Sequence, residues 1–163
     1  MVWYVRDAQL KDLITPGEAN QVIEELFANE ANGQVITRPT LNVPLKGKSR
    51  LTLKAAADYA NGTYGFKAYP APGKHVGSWL TVLYDIEGGL QAIVEGEILT
   101  RFRTGAVAAV GTKYMARPDA STLGIIGTGK EARHQLLATT LVRDFKTDET
   151  WVITRSDVIQ SLA

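Results

Sequence analysis

The sequence predicts an α/β protein: an N-terminal α+β domain with a mainly antiparallel sheet, followed by the first β-α-β part of a parallel, doubly wound sheet. Three observations predict it. Between residues 34 and 95, short β-type runs alternate with turn residues, among them Asn61-Gly62 and Glu87-Gly88-Gly89. Apolar residues at helical spacing lie on both sides of that region. Near the C-terminal end, a short apolar run over residues 123–126 enters Gly127-Thr128-Gly129 and then a second helical pattern.

Taken in chain order, Asp7 opens a short helical pattern with Ala8, Leu10, Leu13 and Ile14 apolar. Thr15-Pro16-Gly17-Glu18 reads as a capping box, with Thr15 at the N-cap, Pro16 at the first helical position and Glu18 reaching back to the cap. Ala19, Val22, Ile23, Leu26 and Phe27 then mark one apolar face of a helix ending near Asn32-Gly33. That face predicts core packing and no chemistry. Strands are expected over residues 35–37, 51–55, 63–69, 78–85 and 90–95, with a longer loop over Pro70-Ala71-Pro72-Gly73-Lys74.

Residues 97–116 return to helix, with Phe102, Ala106, Ala109, Val110 and Met115 apolar and Gly105 and Gly111 leaving room for close backbone approach. Pro118-Asp119 ends that helix and sets the expected boundary between a domain of residues 1–117 and a second of residues 118–163. In the second, residues 130–145 read as helix, 146–149 as a polar turn, 150–154 as a strand and 155–163 as the start of another loop or helix.

Composition narrows the function classes. The 163 residues carry a net charge of +1, which gives no electrostatic reason to expect nucleic acid or an anionic membrane as partner. There is no cysteine, so disulfides, thiolate catalysis and cysteine-based metal sites are excluded. His75 and His134 lie far apart in sequence, and no metal site is expected. No window approaches the length of a membrane span and the start lacks a signal-peptide pattern, so a cytoplasmic protein is expected.

The strand, glycine turn and helix start at residues 121–133 are what a dinucleotide pyrophosphate needs. Gly127 permits the tight turn, Gly129 lets backbone N–H groups approach phosphate, and Ala132 lets the helix pack on the strand. An ordinary α/β connection shows the same short pattern. In NAD-type sites an acidic residue on the second strand binds the ribose hydroxyls. Here that position reads Thr154-Arg155-Ser156, and an arginine in place of the acid suits a 2′-phosphate, which favours NADP over NAD; a plain loop arginine accounts for it equally.

Lys67 sits mid-strand on the face shared with Gly65 and opposite Tyr64 and Phe66. It is a solvated lysine, or, if that face lines a cleft, an ammonium that binds a carboxylate or tunes a proton transfer. Arg38 precedes Pro39, which extends its backbone, and Arg103 lies near the start of a helix of small residues with Arg101 as its solvated neighbour. Such cations suit an anionic substrate such as an amino acid, because arginine grips carboxylates bidentately. Spacing alone does not show that they converge.

Residues 99–109, with the sequence Leu99-Thr-Arg-Phe-Arg-Thr-Gly-Ala-Val-Ala-Ala109, are followed by Tyr114-Met-Ala-Arg-Pro-Asp119 and Leu123-Gly-Ile-Ile-Gly-Thr-Gly129. Together they resemble the ornithine cyclodeaminase/mu-crystallin family. Thr37-Arg-Pro39, Gly65-Phe-Lys67 and Leu83-Tyr-Asp85 are similar to its upstream landmarks, in the right order.

The resemblance implies that Arg38, Lys67 and Arg103 bind the substrate carboxylate, with Lys67 also beside the reacting carbon and so catalytic. Gly127, Thr128, Gly129, Lys130, Glu131, Thr154, Arg155 and Ser156 fall at cofactor-binding positions of a Rossmann domain that holds NAD(P), and Arg103 and Ser78, in the first domain, at positions that approach the cofactor. It implies hydride transfer at the α-carbon of an amino or imino acid. In the cyclodeaminase case the resulting imine is attacked by the side-chain amine, ammonia leaves, and the cyclic imine is reduced to proline. A homodimer through the N-terminal sheet domain is implied as well. The family's catalytic aspartate lies in the later half of the Rossmann domain, so the chain is expected to be the N-terminal half of a longer enzyme, inactive by itself. The alternative is a crystallin-type protein that binds NADPH and a small ligand without turnover.

Overall fold

Residues Thr63–Ala71 form the middle of a mainly antiparallel sheet because their neighbours in sequence pair with them on both sides. The computed structural model describes residues 1–47, 49–72, 79–146, 151–153 and 159–161, the last two stretches by backbone alone. Its contacts divide the chain into one unit of residues 1–13 and 25–99 and a second of residues 14–24 and 100–163.

The first unit holds strands β1 (Trp3–Val5), β2 (Val35–Thr37), β3 (Leu41–Pro44), β4 (Arg50–Asp58), β5 (Thr63–Ala71), β6 (Leu80–Asp85) and β7 (Leu90–Glu95), with helix α1 (Asp7–Leu13). The sheet runs β1-β7-β6-β5-β4-β2, with β3 also pairing with β4. Only the β1–β7 pairing is parallel among these. Tyr64 and Tyr84, opposite each other on β5 and β6, stack with centroids 5.1 Å apart on one face.

Glu95, at the end of β7, holds the start of the chain in place. One carboxylate oxygen accepts from Tyr4 Oη at 3.1 Å and the other from Asp7 N at 2.8 Å. Buried Asp7 in turn accepts from Ile98 N at 2.9 Å, so its side chain satisfies an unpaired amide in the first turn of helix α3 (Gly96–Met115).

The second unit contains most of α3, helix α4 (Lys130–Thr139), the N-terminal part of helix α2 (Pro16–Ala31), and strands β8 (Gly124–Ile126), β9 (Trp151–Ile153) and β10 (Ile159–Ser161). β8 and β9 pair in parallel, as a β-α-β unit requires, and β10 adds antiparallel to β9. Small residues on α3 make the packing possible: Ala106 and Ala109 are fully buried, and a Cβ at Gly105 would sit 2.6 Å from the His134 carbonyl of α4. Phe102 meets the His134 ring edge-on at 5.3 Å. Asn20 of α2 donates its side-chain amide to Ala138 O at 2.9 Å.

Several sequence expectations change here. By contacts, α3 from Thr100 onward and the first turns of α2 group with α4. α4 stops at Thr139 and does not reach Phe145. The chain turns back there, and Arg143 donates to the carbonyl of Lys113 in the last turn of α3 and to those of Ala116 and Pro118 just beyond it. Residues 159–161 form a strand where a loop or helix was expected. β1 and β3 were not expected, and β4 and β5 run longer than the 51–55 and 63–69 stretches, since Pro70 and Ala71 still pair with Leu51 and Arg50.

The α2 face is also less buried than its apolar spacing implies. Val22 is 63% exposed and Asn20 is the buried residue of the helix. On α3, Met115 is 86% exposed and Gly111 has nothing within 4 Å of an added Cβ. The capping box, by contrast, forms as read: Glu18 N donates to Thr15 Oγ1 at 3.2 Å, and Thr15 N donates to Glu18 Oε2 at 2.8 Å.

Glu24 ties α2 to α3 within the second unit. It accepts from Lys113 Nζ at 2.7 Å and from the Tyr114 hydroxyl. The hydrogen bond from Lys113, then that from Tyr114, holds the Glu24 carboxyl below its ordinary range, while Glu24 raises both partners above theirs. A lowered carboxyl contributes stability that is present above its unfolded value and fades as pH falls through its folded value. The two raised partners lose their contribution only as pH rises through their own folded values. Glu24→Gln is therefore expected to lower Tm at neutral pH and to converge with the unsubstituted protein in acid, as thermal melts across the carboxylate range will show.

Candidate functional site

Hairpin register assembles the site. Asp58 pairs with Thr63 to close the β4–β5 hairpin, and the same register sets Lys54 opposite Lys67 and Ala56 opposite Gly65. On the other side of β5, Lys67 faces Thr81 and Gly65 faces Leu83 of β6. Directly opposed residues share a face, so Lys54, Lys67 and Thr81 form one row across three strands. This face lines a cavity of about 510 Å³, to which Arg38, Asp58 and Leu26 also contribute.

Gly65 is a steric requirement of that row. A Cβ there would lie 2.2 Å from the Val82 carbonyl oxygen, a backbone atom that has no side-chain freedom with which to move away. Lys67 is oriented by aromatic rings: its Nζ lies 4.7 Å from the Trp79 ring centroid and 5.1 Å from that of Tyr69. The two rings contact each other at 5.0 Å, and the Trp79 carbonyl accepts from Gly96 N at 2.7 Å, which pins the residue at the mouth of α3. Cation–π contact favours the charged ammonium and restricts its long side chain.

Arg38 is exposed, and its backbone N–H donates to Ala55 O at 3.2 Å, which fixes it beside β4. The cavity's carboxylate, Asp58, accepts from Asn61 N at 3.1 Å and from Asn61 Nδ2 at 2.9 Å. Among the described residues, the cavity lining includes the cations Arg38, Lys54 and Lys67 and the Asp58 carboxylate, which is engaged by its own turn. The arrangement suits an anionic ligand.

Of the residues singled out in the sequence, Arg38 and Lys67 line this cavity. Arg103 lies exposed on α3 in the second unit, whereas its neighbour Arg101 is half-buried and engaged, the reverse of the solvated neighbour expected. Gly127, Thr128 and Gly129 form the turn between β8 and α4, and Lys130 and Glu131 open the helix. Gly127 adopts φ 109°, a left-handed conformation that favours glycine. Gly129 is the N-cap of α4 in extended conformation, without a side-chain cap, and an added Cβ at either glycine meets nothing within 4 Å. That open space fits a phosphate group approaching the first amides of the helix.

Ser78, Thr154, Arg155 and Ser156 lie outside the described residues. Among those described, no group of three or more histidine, cysteine, aspartate or glutamate residues is placed to hold a metal ion, and no helix is long and apolar enough to cross a membrane. Lys54, Tyr69 and Trp79 escaped the sequence reading. Lys54 could have been found from the hairpin pairing once the length of its loop was known.

A mixed α/β architecture with a parallel strand, glycine turn and helix defines the class of fold found in NAD-binding enzymes, as solved structures bear out. An iminosuccinate reductase of Paracoccus denitrificans in complex with NAD+ superposes with TM-score 0.85 at 26% identity over 96% of this chain and 51% of its own. The Δ1-pyrroline-2-carboxylate reductase of Thermococcus litoralis, in complex with NADH and L-proline, gives TM-score 0.81 at 27% identity over 96% of this chain and 51% of its own.

The chain belongs to the ornithine cyclodeaminase/mu-crystallin family, which it matches over residues 4–160. By sequence it is 32% identical to the Paracoccus denitrificans reductase over 87% of the chain and 47% of that relative. It is 37% identical to an ornithine cyclodeaminase of Agrobacterium fabrum over 48% of the chain and 25% of that relative. The chain thus spans about half the length of the relatives it matches along most of its own length.

Gly65→Ala is expected to destabilise the first unit by about 1–3 kcal/mol, the usual cost of overpacking a site that cannot yield. Urea unfolding followed by circular dichroism measures it; an unchanged midpoint would contradict the close approach of β5 and β6.

Proposed function

We propose that the protein transfers hydride between the α-carbon of a small amino or imino acid and a nicotinamide cofactor, as an ornithine cyclodeaminase-like reductase or cyclodeaminase. The observation that carries this reading is that Arg38 and Lys67, distant in sequence, line one cavity on one face of the sheet. In the proposed complex the Arg38 guanidinium and the Lys67 ammonium bind the α-carboxylate, and Lys67, beside the reacting carbon, holds or moves a proton at Nζ. Tyr69 and Trp79 keep that ammonium from ranging over its rotamers. NAD(P), when bound, supplies the hydride donor or acceptor. Gly127 to Glu131 would hold its pyrophosphate at the start of α4, with Ser78, Thr154, Arg155 and Ser156 as further contacts by resemblance. Arg103 enters the proposal from the resemblance alone.

We further infer a homodimer through the N-terminal sheet. β3 supports it, since Leu41 and Val43 are exposed, as is Leu45 just beyond the strand.

Lys67→Met, in the natural polypeptide and with its circular dichroism unchanged, is expected to lower turnover of imino acid with NAD(P)H at least about 100-fold, the scale of a lost proton-transfer group. Retained activity would return Lys67 to a plain sheet lysine, and binding without any product in the unsubstituted protein would favour the crystallin-type alternative. Should Arg155 read a 2′-phosphate, tryptophan-quenching titration will give tighter binding of NADPH than NADH; equal affinities remove that argument.

A further inference from the structure

Lys54 has no role in the reaction proposed above, yet the sheet sets it directly across from Lys67. Opposed residues on adjacent antiparallel strands have Cβ atoms about 4.5–5.5 Å apart, and like charges in that arrangement destabilise the pair. The neighbouring pairs on the same face carry no such conflict: Thr52 faces Tyr69, Ala56 faces Gly65 and Asp58 faces Thr63. Among the described residues no carboxylate pairs with the Lys54 ammonium. Asp58, on the same face of β4, already accepts two hydrogen bonds from Asn61. Arg38 adds a third cation to the same cavity, and its backbone is bonded to the residue after Lys54.

An α-carboxylate held by Arg38 and Lys67 leaves Lys54 unmatched. Lys54 leaves the backbone one strand spacing from Lys67, about 4.8 Å, so a ligand with a short carbon chain between two carboxylates can address both side chains. We propose that Lys54 is the specificity-determining residue of this cavity and that the ligand is a dicarboxylic amino or imino acid whose side-chain carboxylate lies on the Lys54 ammonium. The inference rests on the reading of the cavity as an α-carboxylate site. It also sets the site against diamino acids such as L-ornithine, whose side-chain ammonium would meet the Lys54 ammonium.

The test is a titration of the full chain with L-aspartate and with L-alanine, which share the α-amino acid group and differ in the second carboxylate, followed by NMR of the sheet amides and the Lys67 side chain. L-Aspartate is expected to bind about tenfold more tightly than L-alanine, a difference of one added ion pair at a partly exposed site. In Lys54→Gln the preference disappears, with L-aspartate losing about tenfold more affinity than L-alanine, and Lys54→Arg retains the preference. The amide spectrum of each variant reports whether it is folded, and the exposed position of Lys54 leaves the sheet intact. Binding of L-alanine with no preference for L-aspartate overturns the dicarboxylate proposal and leaves the α-carboxylate reading standing. A preference that survives Lys54→Gln overturns the assignment to Lys54. If neither amino acid perturbs Lys67, both readings fall together.

Discussion

The register of the β4–β5 hairpin is the constraint on which the site depends. Four residues, 59–62, lie between the paired ends Asp58 and Thr63. Asp58 closes the turn by accepting from Asn61, Tyr59 N is drawn to Gln34 O at 2.8 Å, and Ile86 N bonds to Gly62 O at 2.8 Å from the next hairpin. A tighter turn with Asn61-Gly62 as its central pair would bring Ala60 opposite Thr63 and Lys54 opposite Tyr69. The cation row would not exist. A slip of one residue would be worse, because it moves every side chain of a strand to the other face.

The two units solve different physical problems. In the first, a sheet brings charged side chains together, with aromatic rings beside the Lys67 ammonium and Lys54 on an exposed position. In the second, a helix must lie close to another, so α3 gives up side-chain volume at Gly105, Ala106 and Ala109 and α4 places its backbone in the space. The chain after α4 then turns back, with Arg143 on carbonyls in the last turn of α3 and just beyond it and Lys146 N on Ser121 O at 3.0 Å, just ahead of β8 and the glycine turn.

What was legible in the sequence was local. The Thr15 to Glu18 capping box, the turns at Asn61-Gly62 and Glu87 to Gly89, and the strand, glycine turn and helix at residues 124–139 each depend on residues within a few positions of one another. β1 was not legible because a three-residue strand pairing in parallel with β7 leaves no turn signal and no alternation to read. β3 is short and ends in Pro44, which belongs at an edge and weakens any strand reading. The early end of α4 had no local signal either, as it answers to carbonyls on α3.

The sequence by itself determined the capping box, most strands of the antiparallel sheet, the glycine turn and the candidates Arg38 and Lys67, because backbone preference and motif spacing are properties of short stretches. Only the tertiary structure decided that Lys67 shares its face with Lys54 and Thr81, that Tyr69 and Trp79 flank its ammonium, and that the first turns of α2 belong with α4. The physical reason is that a pairing register is a relation between strands. It is set by loop length and by hydrogen bonds to distant segments, and neither is written in the residues whose charges it brings together.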